Sequence, residues 1–199
     1  MQAATASSFV DVFRPRRAAA GLTYDLLLVV FGSAAIALSA RLWITLPLAI
    51  TPVPITGQTL AILLVGALYG PKRGPATVLL YLTEGVAGLP VFAGGFSGAP
   101  HLLGPTGGYL VGFVLGAFVT GVLCGRGWDR RWAMTALAMT LGTIALFVPG
   151  VIWLAFFVGP HKVLAAGLWP FLPGAIIKIA FATALLPQGW KVLYWLDGR

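Results

Sequence analysis

Few residues of this chain could do chemistry, and the first is Lys178, which follows the stretch FLPGAII in the last long apolar run. An ammonium within a membrane-spanning segment costs about 2.5 to 3.5 kcal/mol, so such a residue usually faces the bundle interior. Lys178 is therefore predicted to supply a cation for an anionic ligand. The alternative is a lysine that snorkels to the outer interface, which its shallow depth permits.

Glu84, in the stretch YLTEGVAGLPVF, is the second charged candidate. Its carboxylate could pair with Lys178 or Arg41, or accept hydrogen bonds from N–H groups of a ligand. The alternative is an interfacial carboxylate in water. The sequence leaves both interpretations open.

Two uncharged or nearly uncharged segments are rich in proline or glycine. GLPVFAGGFSGAPHLLGPTGGY, at 88–109, carries His101 as its single ionisable side chain, and ITLPLAITPVPITGQT spans 44–59. Unpaired backbone amides in hydrocarbon cost several kcal/mol each, so irregular chain at that depth must lie against protein or a cavity. Both segments are predicted to wall or cover a pocket; a pair of ordinary outer loops is the alternative.

Glycines and aromatic residues near these segments suit a pocket for a largely apolar ligand. Glycine allows a close approach of backbone N–H groups that a Cβ would prevent. The candidates are Gly94, Gly95, Gly107, Gly108, Phe92, Tyr109 and Trp153. For each aromatic residue the alternative is the aromatic belt of a membrane interface. The four-residue spacing of Gly104, Gly108, Gly112 and Gly116 also predicts a seam where two helices pack closely.

The composition requires membrane-spanning elements to hold these residues. The chain has 199 residues, of which 59% are hydrophobic and 9% charged, whereas soluble domains carry about 25% charge. This excludes a soluble globule and predicts one all-α membrane domain over 1–199, with an N-terminal segment at 1–20 and a six-helix bundle at 21–194. The predicted spans are 23–42, 58–69, 75–86, 107–124, 132–158 and 172–194, with a short surface helix at 161–169.

The basic residues predict the orientation, because short loops rich in lysine and arginine stay cytoplasmic. Six spans with a cytoplasmic N-terminus leave only Arg41 and Lys162 on the outer side. The cytoplasmic set is Arg14, Arg16, Arg17, Lys72, Arg73, Arg126, Arg130, Arg131, Lys191 and Arg199. Both termini are therefore expected in the cytoplasm, and both irregular segments on the outside.

Several function classes find no support in the sequence. The net charge of +8 comes without the basic and aromatic interleaving of a nucleic-acid surface, so no nucleic-acid partner is expected. No metal-ligand cluster or phosphate-binding glycine loop is present, so we expect no metal, no cofactor and no ATP hydrolysis by the chain itself. An intramembrane serine protease, with Ser97 in GFSG and His161 as its base, stays a minor alternative because both lie in loops.

Four motifs in this order resemble one family. TPVPITGQTLAILLVGALYGPKRG, YLTEGVAGLPVFAGG, LLGPTGGYLVGF and PFLPGAIIK resemble the BioY family, the biotin-specific substrate-binding (S) components of energy-coupling factor (ECF) transporters. The resemblance implies an S-component-like bundle in the prokaryotic plasma membrane that captures biotin at its outer face for uptake. It also implies a transmembrane coupling protein and ATPase subunits as partners, in addition to membrane lipid.

The resemblance also implies site residues. Many family members have an acid and a lysine in the last motif that belong to the biotin site; Lys178 matches the lysine, whereas Ala175 stands in the place of the acid. Glu84 is expected to compensate, and Thr56, Gln58 and Val91 join the expected ligand contacts within the matching motifs. S components usually dock through small residues of the first helix, here Ser33, Ala37 and Ala40, although this face could instead pack internally. An S component for riboflavin or thiamine remains the alternative function.

Overall fold

A computed structural model describes residues 7–196, and within them the chain is mainly helical. Residues 1–6 of the predicted N-terminal segment, and Arg199, which entered the orientation prediction, lie outside the described residues. The α-helices are α1 (Ala18–Ser39), α2 (Gln58–Val86), α3 (Ala99–Leu103), α4 (Gly107–Cys124), α5 (Trp132–Val158), α6 (Val163–Gly167) and α7 (Leu172–Leu196). The predicted all-α class is confirmed.

Four of the described helical stretches are long and apolar enough to cross a membrane. They are Ala18–Ser39, Gly107–Cys124, Trp132–Val158 and Val163–Leu196, the last of which includes α7. The predicted limits of the spans at 107–124 and 132–158 agree with α4 and α5, and α7 begins at Leu172 as expected. Long apolar runs bounded by charged residues and glycine locate α4, α5 and the start of α7. The first span, predicted at 23–42, begins and ends earlier, at Ala18 and Ser39.

The predicted spans at 58–69 and 75–86 are the two arms of α2, which reverses at Gly70. This residue has φ +81° and ψ −176° inside the helix, and Pro71 follows it. Only glycine adopts such a conformation at little cost. The arms then pack against each other, since a Cβ on Gly74 would lie 3.0 Å from Cα of Gly66. The arms are short, and many of their apolar side chains are buried inside the bundle.

Short irregular elements connect the helices at one end of the bundle. Strands β1 (Trp43–Ile44) and β2 (Ile55–Thr56) form a small antiparallel hairpin, with Trp43 opposite Thr56. Helix α3 lies within the glycine-rich segment. The surface helix predicted at 161–169 is wrong in length and in exposure: α6 is shorter, and Val163, Ala166 and Gly167 are buried. They are buried because α6 packs against α5 and against Tyr109 of α4.

Three of the four predicted seam glycines pack α4 against α5, whereas Gly104 precedes α4 and lies outside the seam. A Cβ on Gly108 would come 2.5 Å from the Pro149 carbonyl oxygen, one on Gly112 would come 2.2 Å from the Leu146 oxygen, and one on Gly116 3.1 Å from the Gly142 oxygen. Backbone cannot move aside as a flexible side chain can, so these glycines set the distance between the two helices.

Charged residues collect at the opposite end of the bundle, which we call the charged end. Arg73, just beyond the reversal of α2, contacts Asp11 and Asp25 at 2.8 Å each, and Arg14 contacts Asp25 at 2.9 Å. The short 3₁₀ helix Phe9–Phe13 packs there, with the ring of Phe9 5.5 Å from that of Trp190. Residues far apart in sequence thus hold the first described segment against α2 and α7.

Asp129 is a fully buried carboxylate at the charged end, between α4 and α5. It accepts a hydrogen bond from Nε1 of Trp190 at 2.5 Å, and the Arg130 guanidinium carbon lies 4.5 Å from the Trp190 ring. Oδ1 has no hydrogen-bond partner within residues 7–196. Desolvation raises the pKa of Asp129 to about 6, although the Trp190 bond and Arg130 oppose this.

The close α4–α5 contact predicts that Gly112→Ala lowers the free energy of unfolding by about 1–3 kcal/mol, because the added methyl meets backbone. Gly104→Ala is the matched control, since its Cβ would find its nearest atoms at 3.5 Å and should change stability by less than about 0.5 kcal/mol. Thermal unfolding in detergent measures both. Equal midpoints for the two variants would contradict the seam.

Asp129 predicts a pH dependence of stability. Its folded-state pKa of about 6 exceeds the unfolded value of about 3.9, so the folded protein binds more protons between these values. Its contribution to stability therefore falls by about 2–3 kcal/mol as the pH rises from 4 to 6. Asp129→Asn keeps an acceptor for Trp190 and should remove this fall, raising the unfolding midpoint at pH 7.

Asp11→Asn is the control for this measurement. Burial alone would raise the pKa of Asp11, but hydrogen bonds from Ser8, Ser7 and Arg73 hold it below its ordinary value. Asp11 therefore stays ionised from pH 4.5 to 6.5, and Asp11→Asn should keep the wild-type dependence of stability on pH over this range. An Asp129→Asn variant with that same slope would rule out the buried carboxylate as its source.

Candidate ligand-binding site

The inner cavity lies between the β1–β2 hairpin, the glycine-rich segment and the adjoining ends of α2, α4, α5 and α7. It is a narrow cleft with about 780 Å³ of unfilled space, counting the part open to solvent. Its apolar lining includes Val53, Ile55, Leu63, Leu110, Phe113, Leu146, Phe147 and Phe171, and its polar lining includes Thr56, Gln58, Thr59, His101, Thr106, Tyr109, Thr143 and Lys178. Such a lining suits a mainly apolar ligand with a few polar groups.

Lys178 is the cation of this cavity. Its Nζ donates to the Thr56 carbonyl oxygen at 2.6 Å and to the Thr59 hydroxyl at 2.8 Å. An ammonium has three donors, so these two bonds leave one N–H for a ligand. Ala175 lines the cavity from the preceding turn of α7, and no ion pair to Lys178 is formed within the described chain. The structure thus favours the interior position over the snorkelling alternative.

Gln58 and Tyr81 join the two arms of α2 behind the cavity. Gln58 Nε2 donates to the Tyr81 hydroxyl at 2.5 Å, and that hydroxyl donates to the Val91 carbonyl oxygen at 3.1 Å. Tyr81 is fully buried and Gln58 nearly so. This chain of two hydrogen bonds, called the relay below, holds the start of the glycine-rich segment against α2. Val91 contributes its backbone carbonyl to the relay.

An outer cavity adjoins the inner one. Trp43, Thr45, Pro52, Gly94, Phe96, Pro100, Gly104 and Pro105 line it, and it shares Pro54, Ala93, His101 and Thr106 with the inner cavity. Gly94 has φ +72°, so a side chain would be strained there. The two cavities adjoin at these shared residues. Together they are called the path, which extends from exposed loop residues such as Trp43 and Phe96 to Lys178.

The predicted ligand contacts divide into two groups. Lys178, Gln58, Thr56 and Tyr109 line the inner cavity, and Gly94 lines the outer one. Glu84, Val91, Phe92, Gly95, Gly107, Gly108 and Trp153 line neither cavity. The first group confirms that both irregular segments wall a pocket.

Several members of the second group support the walls instead. Phe92 is fully buried and packs edge-on against Tyr81. Gly107 and Gly108 lie against Trp153, whose Nε1 donates to the Gly104 carbonyl oxygen at 2.9 Å. A Cβ on Gly95 would lie 3.4 Å from a nitrogen of Arg41, and Arg41 donates to the Pro90 carbonyl oxygen at 2.7 Å.

Glu84 does not contact Lys178 or Arg41, because it accepts a hydrogen bond from the Ser33 hydroxyl of α1. This bond occupies the carboxylate at the α1–α2 contact, away from both cavities. Ser33 and Ala40 are fully buried and Ala37 packs against the core. The small face of α1 therefore packs internally, the alternative that the sequence left open.

The protease alternative lacks its catalytic contact. His161 is exposed in the connection between α5 and α6, and no hydrogen bond joins it to Ser97 within residues 7–196. A serine nucleophile needs its base within hydrogen-bond reach.

His101, Thr59, Thr106 and Thr143 line the inner cavity without having been predicted. Thr59 and Thr106 each adjoin a predicted residue, Gln58 and Gly107, and could have been found from their place in the irregular segments. Thr143 lies within α5, where its hydroxyl donates to the Met139 carbonyl oxygen. In the sequence Thr143 looks like any other threonine of an apolar helix, so no sequence signal distinguished it as a residue of the cavity.

The fold and the cavities define a class: a helical protein with stretches long and apolar enough to cross a membrane and with two adjoining cavities at one end of its bundle. A sequence model of the BioY family matches residues 7–194. The chain belongs to the BioY family.

Individual relatives agree with this assignment. A probable biotin transporter BioY of Pyrococcus horikoshii is 40% identical over 68% of this chain and 80% of its own length. The biotin transporter BioY of Rhizobium etli is 37% identical over 86% of this chain and 95% of its own length. The crystal structure of the S-component for biotin from an ECF-type ABC transporter superimposes with a TM-score of 0.73 at 29% identity, covering 83% of this chain and 90% of that one.

The relay behind the cavity predicts that Tyr81→Phe lowers the free energy of unfolding by about 1–3 kcal/mol, because Gln58 and the Val91 carbonyl lose a buried partner. Tyr24→Phe removes a similar bond, from the hydroxyl to the Val10 carbonyl oxygen at 2.9 Å, at a less buried position. It should lose less, about 0.5–1 kcal/mol. Thermal unfolding compares the two variants. Unchanged stability of Tyr81→Phe would show that the hydrogen bonds of the Tyr81 hydroxyl do not stabilise the fold.

Proposed function

We propose that this protein captures biotin in the inner cavity, as the substrate-binding S component of an ECF-type transporter. The observation that carries the proposal is Lys178, an ammonium with one donor to spare in a narrow, largely apolar cleft. Membership in the BioY family and the biotin named for its relatives support the same ligand.

The chemistry of biotin suits this cleft. Its fused rings are largely apolar and match walls such as Leu110, Phe147 and Phe171. Its ureido carbonyl can accept the spare N–H of Lys178, and its ureido N–H groups can donate to threonine or glutamine oxygens such as those of Thr56 and Gln58. Neutral partners of this kind replace the acid that Ala175 does not provide, so Glu84 is not needed for the ring.

The proposal includes a topology. Six segments would cross the membrane: α1, the two arms of α2, α4, α5 and α7. The charged end would face the cytoplasm, since Arg14 and Arg73 lie there and short basic loops are retained inside. The cavities would then open outward, and the protein would reside in the plasma membrane of a prokaryotic cell.

The proposed partners are an ECF transmembrane coupling protein and ATPase subunits. Support comes from the likeness to a biotin S-component of an ECF-type ABC transporter. Docking through Ser33, Ala37 and Ala40 would require α1 to separate from α2, because these residues face the bundle interior. We therefore assign them no docking role in the conformation described.

The proposed function predicts that the purified protein in detergent binds biotin, and that excess riboflavin or thiamine does not displace it. Lys178→Met should weaken binding about 10- to 100-fold, the loss expected for a hydrogen bond from a charged donor. Lys162→Met is the matched control, since Lys162 is exposed in the α5–α6 connection, and it should bind as the wild type does. Isothermal titration calorimetry measures all three dissociation constants.

The outcomes separate the parts of this proposal. Absence of biotin binding by protein that unfolds cooperatively would overturn biotin as the ligand. Displacement by riboflavin or thiamine would favour an S component for that vitamin. Equal affinities for Lys178→Met and the wild type would show that the Lys178 ammonium does not bind the ligand, while biotin would stand as the ligand.

A further inference from the structure

The His101 imidazole is held in an aromatic stack at the boundary of the two cavities. Its ring centroid lies 5.1 Å from that of Phe92 and 5.4 Å from that of Phe96, with interplanar angles of 20° and 14°. The two phenylalanine rings thus hold the plane of the imidazole nearly parallel to their own. Because His101 also lines both cavities, its imidazole is within reach of a ligand at their boundary.

The edge of this ring lies beside a second polar group. Nε2 of His101 is 3.5 Å from the Thr106 hydroxyl oxygen, and both residues line the inner and the outer cavity. Deeper in the inner cavity, Lys178 is already bonded to Thr56 and Thr59. The path thus has two groups of polar side chains: His101 and Thr106 at the boundary of the cavities, and Lys178 with its partners at the inner end.

We propose that His101 is a ligand-binding residue whose imidazolium donates a hydrogen bond to the carboxylate of the bound ligand. The Thr106 hydroxyl beside it donates to the His101 carbonyl oxygen at 3.4 Å. This inference rests on the proposed function, since it takes biotin as the ligand. The ureido rings then lie toward Lys178, and the carboxylate tail lies toward the outer cavity.

Solvation favours this direction of binding. A carboxylate loses more solvation than a neutral ureido group when it leaves water. The outer cavity lies on the solvent side of the boundary, whereas the inner end is enclosed by apolar side chains of α4 and α5. At the inner end only the one spare N–H of Lys178 would replace the lost water. The tail therefore keeps more of its solvation at the boundary, beside His101.

The charges around His101 link its protonation to binding. Burial lowers the pKa of the His101 imidazole, so the ring is neutral at pH 7 in the free protein. An anionic partner favours the protonated ring, and affinity for an anionic ligand should rise as the pH falls. The other ionisable groups lining the cavities or packed against the stacked rings are Lys178, Tyr109 and Tyr81; Tyr109 donates to Gly167 and Tyr81 to Val91. Arg41, which donates to Pro90, and Glu84, which accepts from Ser33, line neither cavity.

The test is the dissociation constant of biotin between pH 5.5 and 8.0, a range in which the biotin carboxyl stays ionised. Wild-type affinity should be on the order of tenfold tighter at pH 5.5, the factor typical of a charge-assisted hydrogen bond. His101→Gln should bind with a pH-independent constant close to the wild-type value at pH 8.0. His161→Gln, at the exposed second histidine, should keep the wild-type dependence, and biotin amide should show none with the wild type.

The outcomes distinguish this inference from the function on which it rests. Biotin binding whose pH dependence survives in His101→Gln, or appears equally with biotin amide, overturns the role of His101 and leaves biotin capture standing. No binding of biotin by folded protein overturns both. If His101→Gln does not fold, NMR of the wild type labelled at histidine Cε1 decides: biotin should raise the pKa of one of the two histidines, and unchanged titration of both overturns the inference.

Discussion

The structure depends on one constraint: polar backbone groups of the irregular segments that are buried against the bundle must find their partners within the chain. Side chains from the helices and their ends meet this need at several carbonyl oxygens. Lys178 donates to Thr56, Tyr81 to Val91, and Trp153 to Gly104. Lys178 and Trp153 each join an irregular segment to a helix far along the chain, whereas Tyr81 belongs to the helix that precedes Val91. The loops at this end are therefore parts of the packed bundle.

The cavities follow from this arrangement. Two segments held to the bundle at a few carbonyls enclose space between those points, and glycine and proline leave that space unfilled. The same atoms serve both purposes, because Lys178 supports the hairpin and faces the cleft. Ligand affinity and loop stability are consequently coupled at this residue. Hence the binding of its substituted forms has to be read together with their unfolding.

Much of the fold could be predicted from the sequence, because long apolar runs and glycine spacing reflect physical requirements that act locally. The limits of α4 and α5 and the seam between them are of this kind. The pairing of Ser33 with Glu84 is different, because it depends on how α1 lies against α2, and a carboxylate near an interface has many possible partners. His101 was not expected at the site, since the stacking with Phe92 and Phe96 that orients its ring depends on the irregular fold of one segment, which no regular sequence pattern specifies.

Because α2 reverses at Gly70, a small change of backbone angle at this residue would move the far end of each helical arm. Each helical arm advances about 1.5 Å per residue, so the arm at 71–86 is about 24 Å long. A change of about 5° in the angle between the arms would displace its far tip by about 2 Å over that length, and this tip leads into the glycine-rich segment. Gly70 lies at the charged end and the tips lie beside the cavity. The hydrogen bond between Gln58 and Tyr81 joins the tips and, with the close contact of Gly66 and Gly74, opposes such a change.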